Sequence, residues 1–274
     1  MFDTVILLTG PVERVALPGA LSGHNPDLTV LTIERAEELA ALSGDVLRRS
    51  RLIAFVTPVI VPRSVLDQLG YGAVNFHPGP PSYPGWAPAH FALYDQAAEF
   101  GATVHLMVEK VDAGPIIDLA LFLVPPNTSV FGLEGMAYAR LAFLFWRMAR
   151  QLACDPSLPP ALPVEWSNRK YSRRNYLAMC EIPLDISKNE LDRRMRVFGG
   201  NYFGVAPTIK LHGVEFRAVV PPGFGAEGAA VAATCAAVAS ERIPEPGSRK
   251  DTGSDTSAEI TGTTERRQRH CVFS

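Results

Sequence analysis

Thr4-Val-Ile-Leu-Leu-Thr9-Gly10-Pro11 opens the chain with a short, nearly continuous apolar run stopped by a turn pair. Successive side chains of a strand point to opposite faces, so a run without polar alternation is buried on both, as in a parallel sheet covered by helices. Similar runs recur at 28–32, 52–57 and 73–76. Helical spacing fills two of the gaps, at 34–42 with Thr32 as its cap and at 62–69 with Pro62 at an early helical position. Strand and helix therefore alternate, which predicts a doubly wound α/β domain with a mostly parallel sheet.

Beyond His77 the pattern changes. A helix is expected at 88–98, then two β-like stretches at 103–109 and 115–124, close enough in sequence to pair antiparallel, and a long helix at 130–154. The apolar face of that helix is interrupted by Arg140, Arg147 and Arg150, so it reads as a buried helix of a water-soluble domain and not as a span. Asp155-Pro-Ser-Leu-Pro-Pro-Ala-Leu-Pro163 is a stiff proline-rich linker. The expected division is a catalytic domain at 1–154, the linker at 155–163, a small module at 164–222 with a helix at 188–197 and a hairpin of 208–211 and 214–220 around His212-Gly213, and a tail at 223–274. The tail is Ala-rich and then polar, with few large apolar side chains, and is expected to be disordered.

Bulk properties exclude several classes. The formal charge of -2 gives no general cationic field, so DNA is excluded as a partner and tRNA is disfavoured. The four cysteines, Cys154, Cys180, Cys235 and Cys271, include no C-x-x-C pair, which argues against a zinc site or a disulfide framework and for a reducing compartment. The start of the chain has no basic region or cleavage site of a secretion signal, and a cytoplasmic protein without a membrane partner is expected. Gly10-Pro11 is not a dinucleotide fingerprint.

The chemistry gathers in two passages. Asn75-Phe-His-Pro-Gly-Pro-Pro-Ser-Tyr-Pro-Gly-Trp-Ala-Pro88 holds five prolines and two glycines, so past His77 it is a rigid loop walling a cleft. Asn75 and His77, two residues apart on a strand, share one face at the carboxyl end of the sheet, where open α/β folds keep their ligands. The second passage, Glu109-Lys-Val-Asp112-Ala-Gly-Pro-Ile-Ile117, sets a single acid in a turn 35 residues after His77. If the flanking strands are neighbours, Asp112 reaches His77. Such a set suits attack of an amine on a formyl carbon: Asn75 and His77 donate to the oxyanion, while Asp112 orients His77 or accepts the proton. The same residues can equally satisfy loop backbone groups, and an Asp-x-Gly turn commonly reverses a chain.

Asn75-x-His77, the Pro- and Gly-rich loop, Ala92-Leu93-Tyr94, Gly101-Ala-Thr-Val-His105 and Val111-Asp112-x-Gly114-Pro-Ile-Ile117 together resemble the folate-dependent formyltransferase family, from Thr4 to about Val220. The resemblance implies a Rossmann-like catalytic domain, a one-carbon group transferase, 10-formyltetrahydrofolate as the donor cosubstrate, and Asn75, His77 and Asp112 as the catalytic set. It further implies that the pterin is gripped by Val59, Ile60 and Val61 and by Glu109, Lys110 and Val111, with no metal. Many members carry a Ser and an Arg in the loop where this chain has Gly79 and Pro84. This departure moves the acceptor toward an amino sugar carried on a nucleotide or another small amine, with Tyr83 and Trp86 as acceptor-binding aromatics. A methionyl-tRNA formyltransferase-like enzyme, a formyltetrahydrofolate hydrolase and a non-catalytic folate or nucleotide-sugar binding module are the alternatives; a homodimer is left open. His90 and His105 read as packed or hydrogen-bonded residues, and Tyr94 as either pocket wall or core. Arg169, Lys170, Arg173 and Arg174 read as a solvated basic run, and the terminal Cys271-Val-Phe-Ser274 as a chance pattern.

Overall fold

The structure, a computed structural model, describes residues 1–219. Expectations for Val220, for the tail at 223–274 and for Cys271 lie outside the described residues. Six strands, β1 (Thr4–Thr9), β2 (Thr29–Ile33), β3 (Ser50–Phe55), β4 (Ala73–His77), β5 (Glu99–Leu106) and β6 (Ile116–Leu123), form one sheet in the order β2-β1-β3-β4-β5-β6. β2, β1, β3 and β4 are mutually parallel; β5 and β6 are antiparallel additions. Every residue of β1 and β3 is buried, which is the burial their unbroken apolar runs demand.

Helices cover both faces. On one, α1 (Glu13–Ser22) and α6 (Val130–Cys154) set Leu17, Leu21, Leu141, Leu144 and Phe145 against Val5, Leu7, Val74 and Phe76. On the other, α2 (Ala36–Ala40), α3 (Gly44–Arg49) and α4 (Arg63–Leu66) set Leu39, Leu47 and Val65 against Ile6 and Leu8. α6 starts where Ser129 Oγ accepts the backbone N–H of Gly132 at 3.1 Å, and its buried stripe recurs at helical spacing. Truncating Leu144, fully buried in that stripe, to alanine would cost about 3 kcal/mol.

The expected boundary at 155–163 is not a gap in packing. Arg51, fully buried, donates to the carbonyls of Tyr71, Leu152, Pro156 and Ser157 and so ties the end of α6 and the proline-rich segment to β3. Four carbonyl oxygens stand in for the water its guanidinium has lost. Farther on, α7 (Arg173–Cys180) and α8 (Lys188–Phe198) bury Tyr176, Cys180, Val197 and Phe198 in one cluster with Phe91 and Leu93 of α5 (Pro88–Tyr94) and Leu133 of α6. A hairpin of β7 (Thr208–Leu211) and β8 (Val214–Arg217) follows, turned by His212 and Gly213, both at positive φ.

Several expected elements shift. The helix expected at 34–42 is confined to α2 and capped by Arg35, because Thr32 is taken into β2. The helix expected at 88–98 stops at Tyr94, and Gln96 turns to a φ of 55°. The strand expected at 103–109 begins earlier, at Glu99, and ends at Leu106. α1, α3 and α7 have no counterpart in the sequence reading; α1 carries Pro18 within it, followed by Gly19, which masks its period.

Candidate active site

β4 aims the two polar side chains. Val74 and Phe76 point into the core beneath α1 and α6, so Asn75 and His77 face the other way, His77 at the end of the strand. Gly79 then clears the space around the imidazole: a Cβ there would stand 2.8 Å from His77 Nε2 and 2.8 Å from Pro88 Cβ. Thr103 Oγ1 donates to the Gly79 carbonyl at 2.7 Å and pins the loop to β5. Gly85, at a φ of 97°, lets the chain approach Tyr171, whose carbonyl accepts the N–H of Trp86 at 2.9 Å. A Cβ at Gly85 would lie 2.1 Å from that carbonyl oxygen.

Asp112 is delivered by the turn between β5 and β6. It holds a φ of 44°, which an L residue adopts at a cost, and Gly114 permits the turn to close because a Cβ there would stand 1.9 Å from the Leu106 carbonyl oxygen. The buried carboxylate lies between two imidazoles, with Oδ2 at 3.6 Å from His77 Nδ1 and Oδ1 at 3.4 Å from His105 Nε2. The backbone N–H of Gly85 donates to Oδ2 at 2.8 Å. Burial alone would raise the Asp112 pKa, but His77, His105 and this N–H together hold it below the ordinary carboxylate range, so it is ionised. Burial lowers the His77 pKa against the pull of Asp112, which keeps the ring neutral at pH 7. With Nδ1 turned to the carboxylate, Nε2 has no partner among the described residues.

Asn75 stands opposite His105 in the β4–β5 register, and its amide nitrogen lies 3.0 Å from His105 Nε2. His105 Nδ1–H donates to the Leu106 carbonyl at 2.9 Å, which fixes the ring. His105 is packed and hydrogen-bonded as expected, but its partners are Asn75 and Asp112, so it belongs to the site. The signal for this was the antiparallel pairing itself, since Asn75 and His105 fall on the same face once β5 runs against β4.

Asn75, His77, His105 and Asp112 open onto one cavity of about 590 Å³. Val59, Ile60 and Val61 line one side of it and Glu109, Lys110 and Val111 another. Val56, Ile60, Val108 and Val111 remain substantially exposed around it, an apolar rim that soluble proteins rarely leave to water without a ligand. Val56 and Ala87, at φ of 45° and 54°, also line the cavity, so strained backbone gathers here. Trp86 lines it as well, whereas Tyr83 does not; its ring stacks on Tyr171 with centroids 5.9 Å apart. Tyr94 packs beside Phe198 and donates its hydroxyl to Glu190 at 2.7 Å, away from the cavity. Two charged lining residues were not anticipated there, Lys170 from the basic run, whose ammonium donates to the Val111 carbonyl, and Glu134 from α6. No group of His, Cys, Asp and Glu among the described residues is arranged to hold a metal ion, and no helix among them is long and apolar enough to cross a membrane.

Residues 36–134 match the model of the formyl transferase family. A methionyl-tRNA formyltransferase of Listeria monocytogenes is 38% identical over 113 residues, 41% of this chain and 34% of the relative, so the match spans about a third of that relative's length. Among solved structures, a 4-N formyltransferase from Francisella tularensis superposes with a TM-score of 0.60 at 18% identity, over 80% of this chain and 97% of its own. An N-formyltransferase from Helicobacter canadensis, solved with folinic acid and dTDP-3-aminofucose, gives 0.55 at 16% identity over 78% and 85%. Both share the fold.

Proposed function

We propose that this protein transfers a formyl group from 10-formyltetrahydrofolate to the amine of a small acceptor, an amino sugar carried on a nucleotide. The observation that carries the reading is the convergence of Asn75, the free Nε2 of His77 and an ionised Asp112 on one cavity with an apolar rim. The fold shared with an N-formyltransferase that holds folinic acid and dTDP-3-aminofucose supports it.

In this mechanism the folate lies along Val59, Ile60, Val61 and residues 109–111, with the formyl carbon before Asn75 and His77. Trp86 and the neighbouring loop face the acceptor. The amine nitrogen forms a bond to the formyl carbon; the oxyanion that develops takes a hydrogen bond from the Asn75 amide. Neutral His77 accepts the amine proton on Nε2, and Asp112 stabilises the imidazolium through Nδ1. Collapse breaks the bond from carbon to folate nitrogen, and His77 returns the proton to that nitrogen, so tetrahydrofolate and the formamide leave. The test is tetrahydrofolate release followed by absorbance, with and without a set of amino-sugar nucleotides. Amine-dependent release that falls ~1,000-fold in Asp112→Asn supports the reading; release without amine makes the enzyme a hydrolase, and binding without release makes it a non-catalytic module.

A further inference from the structure

Trp166 follows the proline-rich segment in irregular chain, and the mechanism above makes no use of it. Its Nε1–H donates to the carbonyl of Gly114 at 2.8 Å, in the turn that carries Asp112. Its ring meets His105 edge-on, centroids 5.1 Å apart at 89°, and His77 in the same manner at 5.8 Å and 77°. A second cavity of about 400 Å³ is lined by Trp166, Gly114 and Asp112. His77 and His105 open onto the larger cavity and Trp166 onto the smaller, while Asp112 borders both. The indole is therefore the partition between the back of the two imidazoles and a space wide enough for water.

We infer that Trp166 is a positioning residue for the Asn75, His77 and Asp112 set, its indole clamping the Asp112 turn and keeping the rear of both imidazoles dry; only its effect on rate rests on the formyl-transfer reading. The clamp acts on a strained turn. Asp112 holds a positive φ, so the turn keeps its shape only while its surroundings over-determine it, and the bond from Trp166 to Gly114 is part of that restraint. The dry wall acts on charge. Water admitted behind the rings would hydrate the imidazolium form of His77 and screen its pairing with Asp112. Since burial is the larger influence on His77, the net result is an easier protonation and a smaller fraction of the neutral base at pH 7.

The experiment is a long-range ¹H–¹⁵N titration of the imidazoles in the full chain, for wild type, Trp166→Phe and Trp166→Ala. His90, buried elsewhere among aromatic rings, is the internal control. The expected result is a His77 midpoint raised by about one pH unit in Trp166→Ala, with His90 unmoved. Trp166→Phe, which keeps one aromatic ring while losing the N–H and the second ring, should leave the midpoint nearer that of wild type than Trp166→Ala does. Where turnover is measured, kcat for tetrahydrofolate release should fall ~10-fold in Trp166→Ala with KM for the formyl donor little changed. A folded Trp166→Ala variant with an unmoved His77 midpoint overturns the role, and so does a joint shift of His77 and His90, which would mean general loosening. Should the alanine variant not fold, Trp166→Leu carries the same test. Wild-type protein that releases no tetrahydrofolate would sink the formyl-transfer reading, while the titration still decides the role of Trp166.

Discussion

His77 and His90 are both buried, both held in the neutral form and only 13 residues apart, yet their surroundings make them different chemical objects. His77 ends a strand, faces an ionised carboxylate through Nδ1 and lines the larger cavity. His90 sits inside α5 with Tyr176, Phe198, Tyr202 and Phe203 around its ring, and neither nitrogen has a hydrogen-bond partner among the described residues. Glu134 approaches no closer than 3.9 Å. Burial alone thus makes a neutral imidazole; a carboxylate beside it and a place in the cavity wall make a candidate base.

Replacing each ring in turn tests that contrast most severely. His77→Gln should lower kcat for the proposed formyl transfer by ~1,000-fold, whereas His90→Phe should leave it within about twofold, as measured by tetrahydrofolate release. Comparable losses in both variants would erase the distinction.

Acid stability sharpens the same comparison. Burial lowers His90 to about 3 from an ordinary value of 6.5. Between these values the unfolded chain binds the proton and the folded chain does not, so this group lowers stability as pH falls from 6.5 towards 3. Glu134, raised by burial to about 7, has the opposite slope, so the informative quantity is the difference between wild type and His90→Phe. Denaturant melts at pH 7 and pH 4 should show the variant losing less on acidification, by on the order of 3 kcal/mol. Parallel curves would mean that His90 is hydrated in solution.

A smaller effect is expected at Gly79. The Cβ of Gly79→Ala would crowd His77 Nε2 and Pro88, so kcat/KM should fall ~10-fold with a stability cost of about 1 to 3 kcal/mol, read by turnover and thermal melts. Least of all, Ile60→Ser should leave stability within about 0.5 kcal/mol, because Ile60 is 70% exposed, while weakening formylfolate binding ~3-fold in a fluorescence titration. Unchanged affinity would remove Ile60 from the proposed folate side of the cavity.

How much of this was legible follows the physics of each signal. β1 read to the residue and β3 within two residues because burial on both faces writes unbroken apolar runs, and α6 read to the residue because Ser129 caps it and its apolar stripe is long. α1 was hidden by Pro18 and Gly19, and α7 begins inside the basic run. The Asn75, His77 and Asp112 set was readable as a pattern, but its distances were not. Lys170 read as part of a solvated run and Trp166 was not singled out, because each reaches the site from beyond a proline-rich segment that looks like a boundary.

By itself, the sequence determined which residues must be buried, where the chain must turn and which side chains could do acid–base work, since these depend on local periodicity and on the chemistry of each residue type. Only the tertiary structure decided that Asp112 lies between His77 and His105, that His90 stands apart, and that Trp166 closes the rear of the site. Those depend on strand order and on packing between segments far apart in the chain, which no local pattern encodes.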